Sequence, residues 1–342
     1  MKNKNLLYVL YILLMASLLF LNVGCSDDET TEPPVTVDES EILLNHFETT
    51  NDYIYTSGTF VVSASDVRTT QLTNPTSQKL VDIRSATDFA TGHIEGAVNV
   101  PFSNLYDYIK TINPADFTRI VIICYSGQTS AYAVSLVRAI GGYNNAISLK
   151  WGMSSWDSVF ATNYWLAKLS NIRAGSFVTT PSPAKNPKGD LPVINTGKTT
   201  APEILEARIK QLLTDGFPAA TISENTVYSN LSNYYIVNLW SPALYANPGH
   251  IDGAINYDPG TQPFKSANDL TTLPTNKTSV IYCFTGQTSA YTAAYLRMLG
   301  YDVKSLTYGA NSMIYDIMLS GGVANTFVPA TEIKGYPYVT GP

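Results

Sequence analysis

Two kinds of hydrophobic pattern alternate along this chain. Leu80-Val81-Asp82-Ile83 is a short apolar run, and Ile120-Val121-Ile122-Ile123-Cys124 is a continuous one that ends at a cysteine. Continuous apolar runs of this length suit strands buried on both faces of a parallel sheet. From Ser130 to Ile140 the period changes: Ala131, Val134, Val137 and Arg138 share a helical spacing, and Gly141-Gly142 supplies a stop. The succession recurs later, with Ser279 to Tyr282 as a strand, Ala290 to Leu299 as a helix and Gly300 as its stop. A further helix opens at Pro202, with apolar positions 204, 205, 209, 212 and 213. Strands alternating with helices predict an α/β fold with a sheet covered on both faces.

The recurrence is a duplication. Gly92-His93-Ile94-Glu95-Gly96-Ala97 matches Gly249-His250-Ile251-Asp252-Gly253-Ala254, and Gly127 to Tyr132 matches Gly286 to Tyr291. Leu149-Lys150-Trp151-Gly152 matches Leu306-Thr307-Tyr308-Gly309, so the three blocks keep their order at offsets of 157, 159 and 157 residues. Two repeats suit a length of 342 residues. The likeness extends further: Phe177-Val178, with Pro181, Lys188-Gly189 and Pro192 behind it, resembles Phe327-Val328 followed by Pro329, Lys334-Gly335 and Pro337. This makes the Pro-rich stretch 174–196 either an extension of repeat one packed on its own domain or a flexible linker.

The N-terminus changes the picture of where the chain works. Lys2 and Lys4 precede an apolar run from Leu6 to Leu21, which is short for a membrane span, and Val23-Gly24-Cys25 follows. Gly24-Cys25 resembles a bacterial lipobox, although Asn22 stands where Leu is usual; an uncleaved anchor or a plain signal peptide are the alternatives. Lipidation of Cys25 implies a cell-envelope protein held to the membrane through its N-terminal lipid only. Ser26-Asp27-Asp28-Glu29 resembles a surface-export signal of Bacteroidetes lipoproteins, implying exposure at the outer-membrane surface. Expected boundaries are a leader at 1–24, a disordered tether at 25–40, and domains at 41–196 and 197–342. Removing Lys2 and Lys4 with the leader takes the net charge from −6 to −8. That balance, without a basic cluster, argues against nucleic acid as a partner.

The chemistry centres on the cysteines. Of three in the chain, Cys25 is assigned to lipid, leaving Cys124 and Cys283 at matched positions. Each ends a central strand about five residues before a helix, the crevice where open α/β sheets bind ligands. The loops between are Tyr125-Ser126-Gly127-Gln128-Thr129-Ser130 and Phe284-Thr285-Gly286-Gln287-Thr288-Ser289. With a glycine at the sharp turn, such a loop can aim its N–H groups inward and, with the helix N-terminus, favour an anion and a nucleophilic sulfur.

The succession Leu80 to Arg84, Gly92 to Ala97, Cys124-x-x-Gly-x-x-Ser130 and Trp151-Gly152 resembles the rhodanese domain, and covers nearly all of each repeat. The resemblance implies two rhodanese-like domains, each a central mostly parallel sheet flanked by helices. It implies a cysteine that takes up a sulfane sulfur as a persulfide and passes it to a thiol acceptor, without a cofactor. Thr129 and Thr288 stand where members that use thiosulfate carry Arg or Lys. Losing that charge-assisted contact points to a small sulfur donor other than thiosulfate. Asp82 and Arg84, the supporting pair in repeat one, become Asn238 and Trp240 in repeat two, which ranks Cys124 ahead of Cys283.

Other readings stay open. A catalytically idle binding module of the envelope is favoured by the missing loop cation. A redox pair or an interdomain disulfide would need the two loops to face each other. His93 and His250 sit in what the family uses as a structural turn. With only His46 besides, His and Cys cannot assemble a metal site. Tyr132 and Tyr291 belong to helix cores, whereas Trp151 and Tyr308 are equally placed to line a pocket mouth or to pack.

Overall fold

The computed structural model describes residues 38–342, which form one compact unit. The leader, Cys25 and most of the tether lie outside the described residues. The first sheet is built from β1 (Val61–Val62), β2 (Gln78–Asp82), β3 (Val98–Asn99), β4 (Arg119–Ile123) and β5 (Ala146–Leu149), in the order β1-β5-β4-β2-β3. Every pairing in it is parallel. After β6 (Phe177–Val178), the second sheet uses β7 (Thr221–Ile222), β8 (Tyr235–Asn238), β10 (Ile255–Asn256), β11 (Ser279–Tyr282) and β12 (Val303–Leu306). Its order, β10-β8-β11-β12-β7, is the same topology, again with parallel pairings throughout. The continuous apolar runs are the central strands: Ile120 to Ile123 and Val280 to Tyr282 are each fully buried.

Four helices position the site: α1 (Glu39–Thr49), α2 (Gln128–Ala139), α3 (Ala201–Asp215) and α4 (Gln287–Met298). Helices α2 and α4 start at the two cysteine loops and pack against each other. Both are buried nearly all round, and small residues on each (Ala131, Ala133, Ala290, Ala293 and Ala294) allow close approach. The largest apolar cluster therefore runs without a break from repeat one into repeat two. Phe60 of repeat one stacks on Tyr291 at 4.4 Å, and Tyr53 meets Tyr295 edge-on. Tyr132 and Tyr291 are core residues, as expected. The ordered helix begins at Glu39, inside the span expected to be tether, and the Glu39 carboxylate accepts the N–H groups of Thr196 and Gly197.

The Pro-rich stretch is not free: it runs first along repeat two and meets its own domain only at its end, where Pro192 and Thr196 bond Ser40 and Glu39 of α1. Strand β6 pairs antiparallel with β9 (His250–Ile251) of repeat two, Val178 opposite His250. Further along, Gly189 N–H donates to Thr271 O, and Lys185 pairs with Asp269 at 2.8 Å. The C-terminal extension does the converse. Tyr336 N–H donates to Trp156 O, Trp156 Nε1 donates to Pro337 O at 2.8 Å, and His93 and Val339 exchange two backbone hydrogen bonds. Each repeat is thus closed by the other's tail. The structural counterpart of Val178 is Val339, not Val328; Phe327, beside Val328, packs on Trp151 and Trp165 instead. Extended segments satisfy their backbone groups wherever an edge is free, so a pattern with no period does not reveal which sheet receives it.

Ending the chain after Ile333 removes the strap that covers Trp156. The expected result is a loss of about 3 kcal/mol in stability, from the packing of Tyr336 on Trp156 and of Tyr338 on Phe160 and from the Trp156 hydrogen bond. Urea unfolding of the truncated and full chains measures it, together with a red shift of tryptophan emission. An unchanged midpoint would exclude a role for the strap in closing repeat one.

Candidate active site

Strand β4 delivers Cys124 to the C-terminal edge of the first sheet, and the next residues turn sharply into α2. The turn depends on Gly127, whose φ of +82° is open to glycine and strained for other residues. Its N–H donates to Cys124 Sγ at 3.1 Å, and Ser130 N–H donates to the same sulfur at 3.3 Å. Ser130 Oγ lies 3.2 Å from the sulfur and 2.7 Å from Ser148 Oγ, which reaches Gly127 O. This row of hydroxyls can run either way. A thiol can donate along it toward the carbonyl; a thiolate can receive from it. The nest expected from the sequence is therefore formed, and Ser148 is a member that lies outside the motif.

The second loop repeats the design more loosely. Gly286 has φ +75°, Ser289 N–H lies 3.4 Å from Cys283 Sγ, and Ser289 Oγ is 3.6 Å away with Ser305 Oγ behind it. Both cysteines are free thiols and buried.

The loops face each other across the repeat boundary, joined by exchanged glutamines. Gln128 Oε1 accepts the N–H of Tyr308 at 2.7 Å, and Gln287 Oε1 accepts the N–H of Trp151 at 3.3 Å. A Cβ on Gly127 would meet Gln287, and one on Gly286 would meet Gln128. Trp151 and Tyr308 hold left-handed backbone at φ 65° and 60°, followed by Gly152 and Gly309, also left-handed. A Cβ on Gly152 would run into the carbonyl of Cys124, and one on Gly309 into that of Cys283. The Trp-Gly and Tyr-Gly pairs are thus the floor against which each cysteine loop is pressed. Trp151 is fully buried, edge-on to Trp165, and its Nε1 donates to Glu332.

Asp82 and Arg84 do not reach the sulfur. They form a fully buried bidentate ion pair, and Arg84 also donates to Gly92 O at 2.8 Å. The guanidinium carbon sits 4.6 Å from the centre of the Tyr125 ring. On its other connections Tyr125 stacks on Tyr164 at 4.1 Å and donates to Asp88. Repeat two keeps the geometry with different chemistry. Asn238 Oδ1 accepts Trp240 N–H as Asp82 Oδ1 accepts that of Arg84, and Trp240 stacks flat on Phe284 at 4.2 Å. A stacked ring pair replaces a cation over a ring, so the substitution does not dismantle the second site.

The sequence ranks Cys124 first; in the structure the two cysteines are equally buried, and a cavity adjoins Cys283. Cys283 lines a cavity of about 300 Å³ together with Leu239, Trp240, Phe284, Thr285 and Thr288. Lys150, Phe60 and Val61 of repeat one complete it. Around Cys124 the aromatic residues crowd in. Trp165 Nε1 donates to Ser126 O. Tyr164 has its pKa raised by burial, then by the charge of Asp88. Lys150 is the lining residue that motif reasoning missed; its signal was the mismatch with Thr307 inside an otherwise matched block.

The histidines are structural. His93 Nδ1 donates to Phe89 O and stacks on Phe89, and His250 Nδ1 donates to Tyr245 O and stacks on Tyr245. Among the described residues no group of His, Cys, Asp and Glu is arranged to hold a metal.

Two outcomes follow from this geometry. Gly309→Ala forces a Cβ into the Cys283 carbonyl at a left-handed position, and should cost roughly 2–4 kcal/mol in urea unfolding. A neutral result would remove the Tyr308-Gly309 floor from the account. Burial holds His250 below its ordinary 6.5. The unfolded chain then binds its proton first, so this contribution is present above pH 6.5 and is lost as pH falls below it. His250→Asn should flatten the acid side of a stability–pH series; an unaltered slope would exclude His250 as a source.

The rhodanese-like domain family model matches residues 66–158 and 224–314, more than half of the chain. Thiosulfate sulfurtransferase GlpE of Shewanella oneidensis is 37% identical over 87 residues, covering 25% of this chain and 82% of that protein. The adenylyltransferase and sulfurtransferase uba4 of Ogataea parapolymorpha is 28% identical over 128 residues, covering 36% of this chain and 32% of that protein. Among solved structures, SseA of Escherichia coli, titled a 3-mercaptopyruvate sulfotransferase, is 14% identical with a TM-score of 0.26, covering 72% of this chain and 97% of that one. With its parallel sheets, its repeated cysteine loops and the two family-model matches, the chain belongs to the rhodanese family as a tandem pair of rhodanese-like domains.

Proposed function

We propose that this chain is an extracytoplasmic sulfurtransferase that carries a sulfane sulfur as a cysteine persulfide, taken from a donor other than thiosulfate. A sulfurtransferase-type function follows from the two family domains and from relatives named for that activity. The observation that carries the finer reading is the cysteine nest at a helix N-terminus, with two backbone N–H groups aimed at the sulfur of Cys124 and one at that of Cys283. Cys283 receives the donor, because it lines the cavity. Its thiolate attacks the donor's sulfane sulfur; the new S–S bond forms as the donor's S–S bond breaks, and the electron pair leaves with the remainder. The Ser289 N–H and the start of α4 then hold the persulfide anion until an acceptor thiolate takes the outer sulfur and releases the cysteine thiolate. Thr129 and Thr288 in place of a loop cation argue against thiosulfate, a strongly hydrated dianion. The lipobox-like Gly24-Cys25, with the acidic run behind it, supports lipid attachment in the bacterial envelope, facing its exterior.

Intact mass spectrometry of the full chain after exposure to polysulfide or thiosulfate tests this. Polysulfide should add one sulfur, removable by cyanide, and the labelling rate should fall at least about a hundredfold in Cys283→Ser. An adduct lost only in Cys124→Ser would move the site to the first loop. A chain that takes up no sulfur from any sulfane donor would refute the enzyme and leave the idle binding module.

A further inference from the structure

The lining of the cavity beside Cys283 includes a charged residue that its own repeat does not provide. Thr288 fills the loop position without charge, and no carboxylate is among the lining residues. The cation there is Lys150, from the end of β5 in repeat one. Its backbone is pinned on both sides: its N–H donates to Val62 O at 2.8 Å, and its carbonyl accepts from Ser155 Oγ at 2.9 Å. Its Nζ sits 4.9 Å from the Trp151 ring centre and forms no ion pair among the described residues. Trp151 is in turn tied to the second loop through Gln287, itself a lining residue of the cavity. The matched residue of repeat two is Thr307, so the arrangement is not reciprocated by charge.

We propose that Lys150 is the cation of the Cys283 site, supplied from the other repeat, and that it selects a monoanionic donor with an apolar body, the class of the organic thiosulfonates. One ammonium on a flexible stem neutralises one charge. A dianion would leave its second charge without a cation, in a lining that offers it only the neutral groups of Ser241, Thr285, Gln287, Thr288 and Asn325 beside apolar Leu239, Trp240, Leu244 and Phe284. Those walls instead favour a donor whose organic part leaves water. The step balances: Cys283 thiolate bonds to the outer sulfur, the sulfonyl–sulfur bond breaks, its electron pair leaves with the sulfinate, and the persulfide keeps one negative charge. The chemistry rests on the sulfurtransferase reading above; the electrostatics do not.

The experiment separates the two. Alkylation of Cys283 in the full chain is followed by peptide mass with iodoacetate, an anion, and iodoacetamide, its neutral analogue. Lys150→Met, and Lys150→Gln as a second neutral variant, should lower the iodoacetate to iodoacetamide rate ratio roughly 3- to 10-fold, while Lys150→Arg keeps it. An unchanged ratio in the neutral variants overturns the role of Lys150. Persulfide formation at Cys283 should be faster with benzenethiosulfonate than with thiosulfate, and Lys150→Met should raise the half-saturating benzenethiosulfonate concentration by a similar factor. A preference for thiosulfate overturns the donor class. A ratio that falls in a chain no sulfane donor labels would uphold Lys150 as the cation of the pocket and refute the sulfurtransferase reading alone.

Discussion

The backbone N–H of Tyr308 donates to Gln128, and that of Trp151 to Gln287. These exchanged hydrogen bonds join the places where the structure is most constrained: two left-handed aromatic residues, two left-handed glycines beneath the cysteine carbonyls, and two helix starts. A buried N–H without an acceptor is costly, so each repeat needs the other's glutamine to keep its floor in place. The shape of each sulfur nest is thereby a property of the pair. This requirement also explains why α2 and α4 carry alanine where they meet, since a bulkier seam would hold the glutamines out of reach.

Much of this was legible in the chain, and the limits have physical causes. Central strands and loop helices declare themselves because they are buried on several sides, which leaves a continuous or periodic apolar record in Ile120 to Ile123 and in Ala131 to Val137. The nest is legible because its parts, Cys124, Gly127 and Ser130, are close in sequence. What escapes is what comes from elsewhere. Ser148 enters the first site from β5, and Lys150, just after that strand, reaches the second from the opposite repeat; neither belongs to the cysteine-loop motif. The destination of the Pro-rich stretch escapes for a related reason: two short extended strands can pair with either sheet. The change of Asp82 and Arg84 to Asn238 and Trp240 looked like decay because the letters changed class. In the structure, a flat ring on Phe284 occupies the place of a guanidinium over Tyr125.

The two sites are alike in scaffold and unlike in surroundings. The first is packed about with Tyr164, Trp165 and Tyr308, and its sulfur has the shorter N–H contacts. The second has looser contacts and an open wall. Duplication supplied two identical frames, and the difference lies in which side chains of one frame intrude on the other.

The crossing of the tails has a consequence in time. Residues 334–341 close the edge of a domain whose own strands end nearly two hundred residues earlier. A ribosome delivers that segment only after the whole of repeat two. Repeat one must therefore wait, with Trp156 uncovered, until residues 334–341 emerge, and the search that brings them to Trp156 spans a full repeat. Closure of repeat one is a late event, so a copy stopped before Lys334 would display an open aromatic edge for any quality-control protease to find.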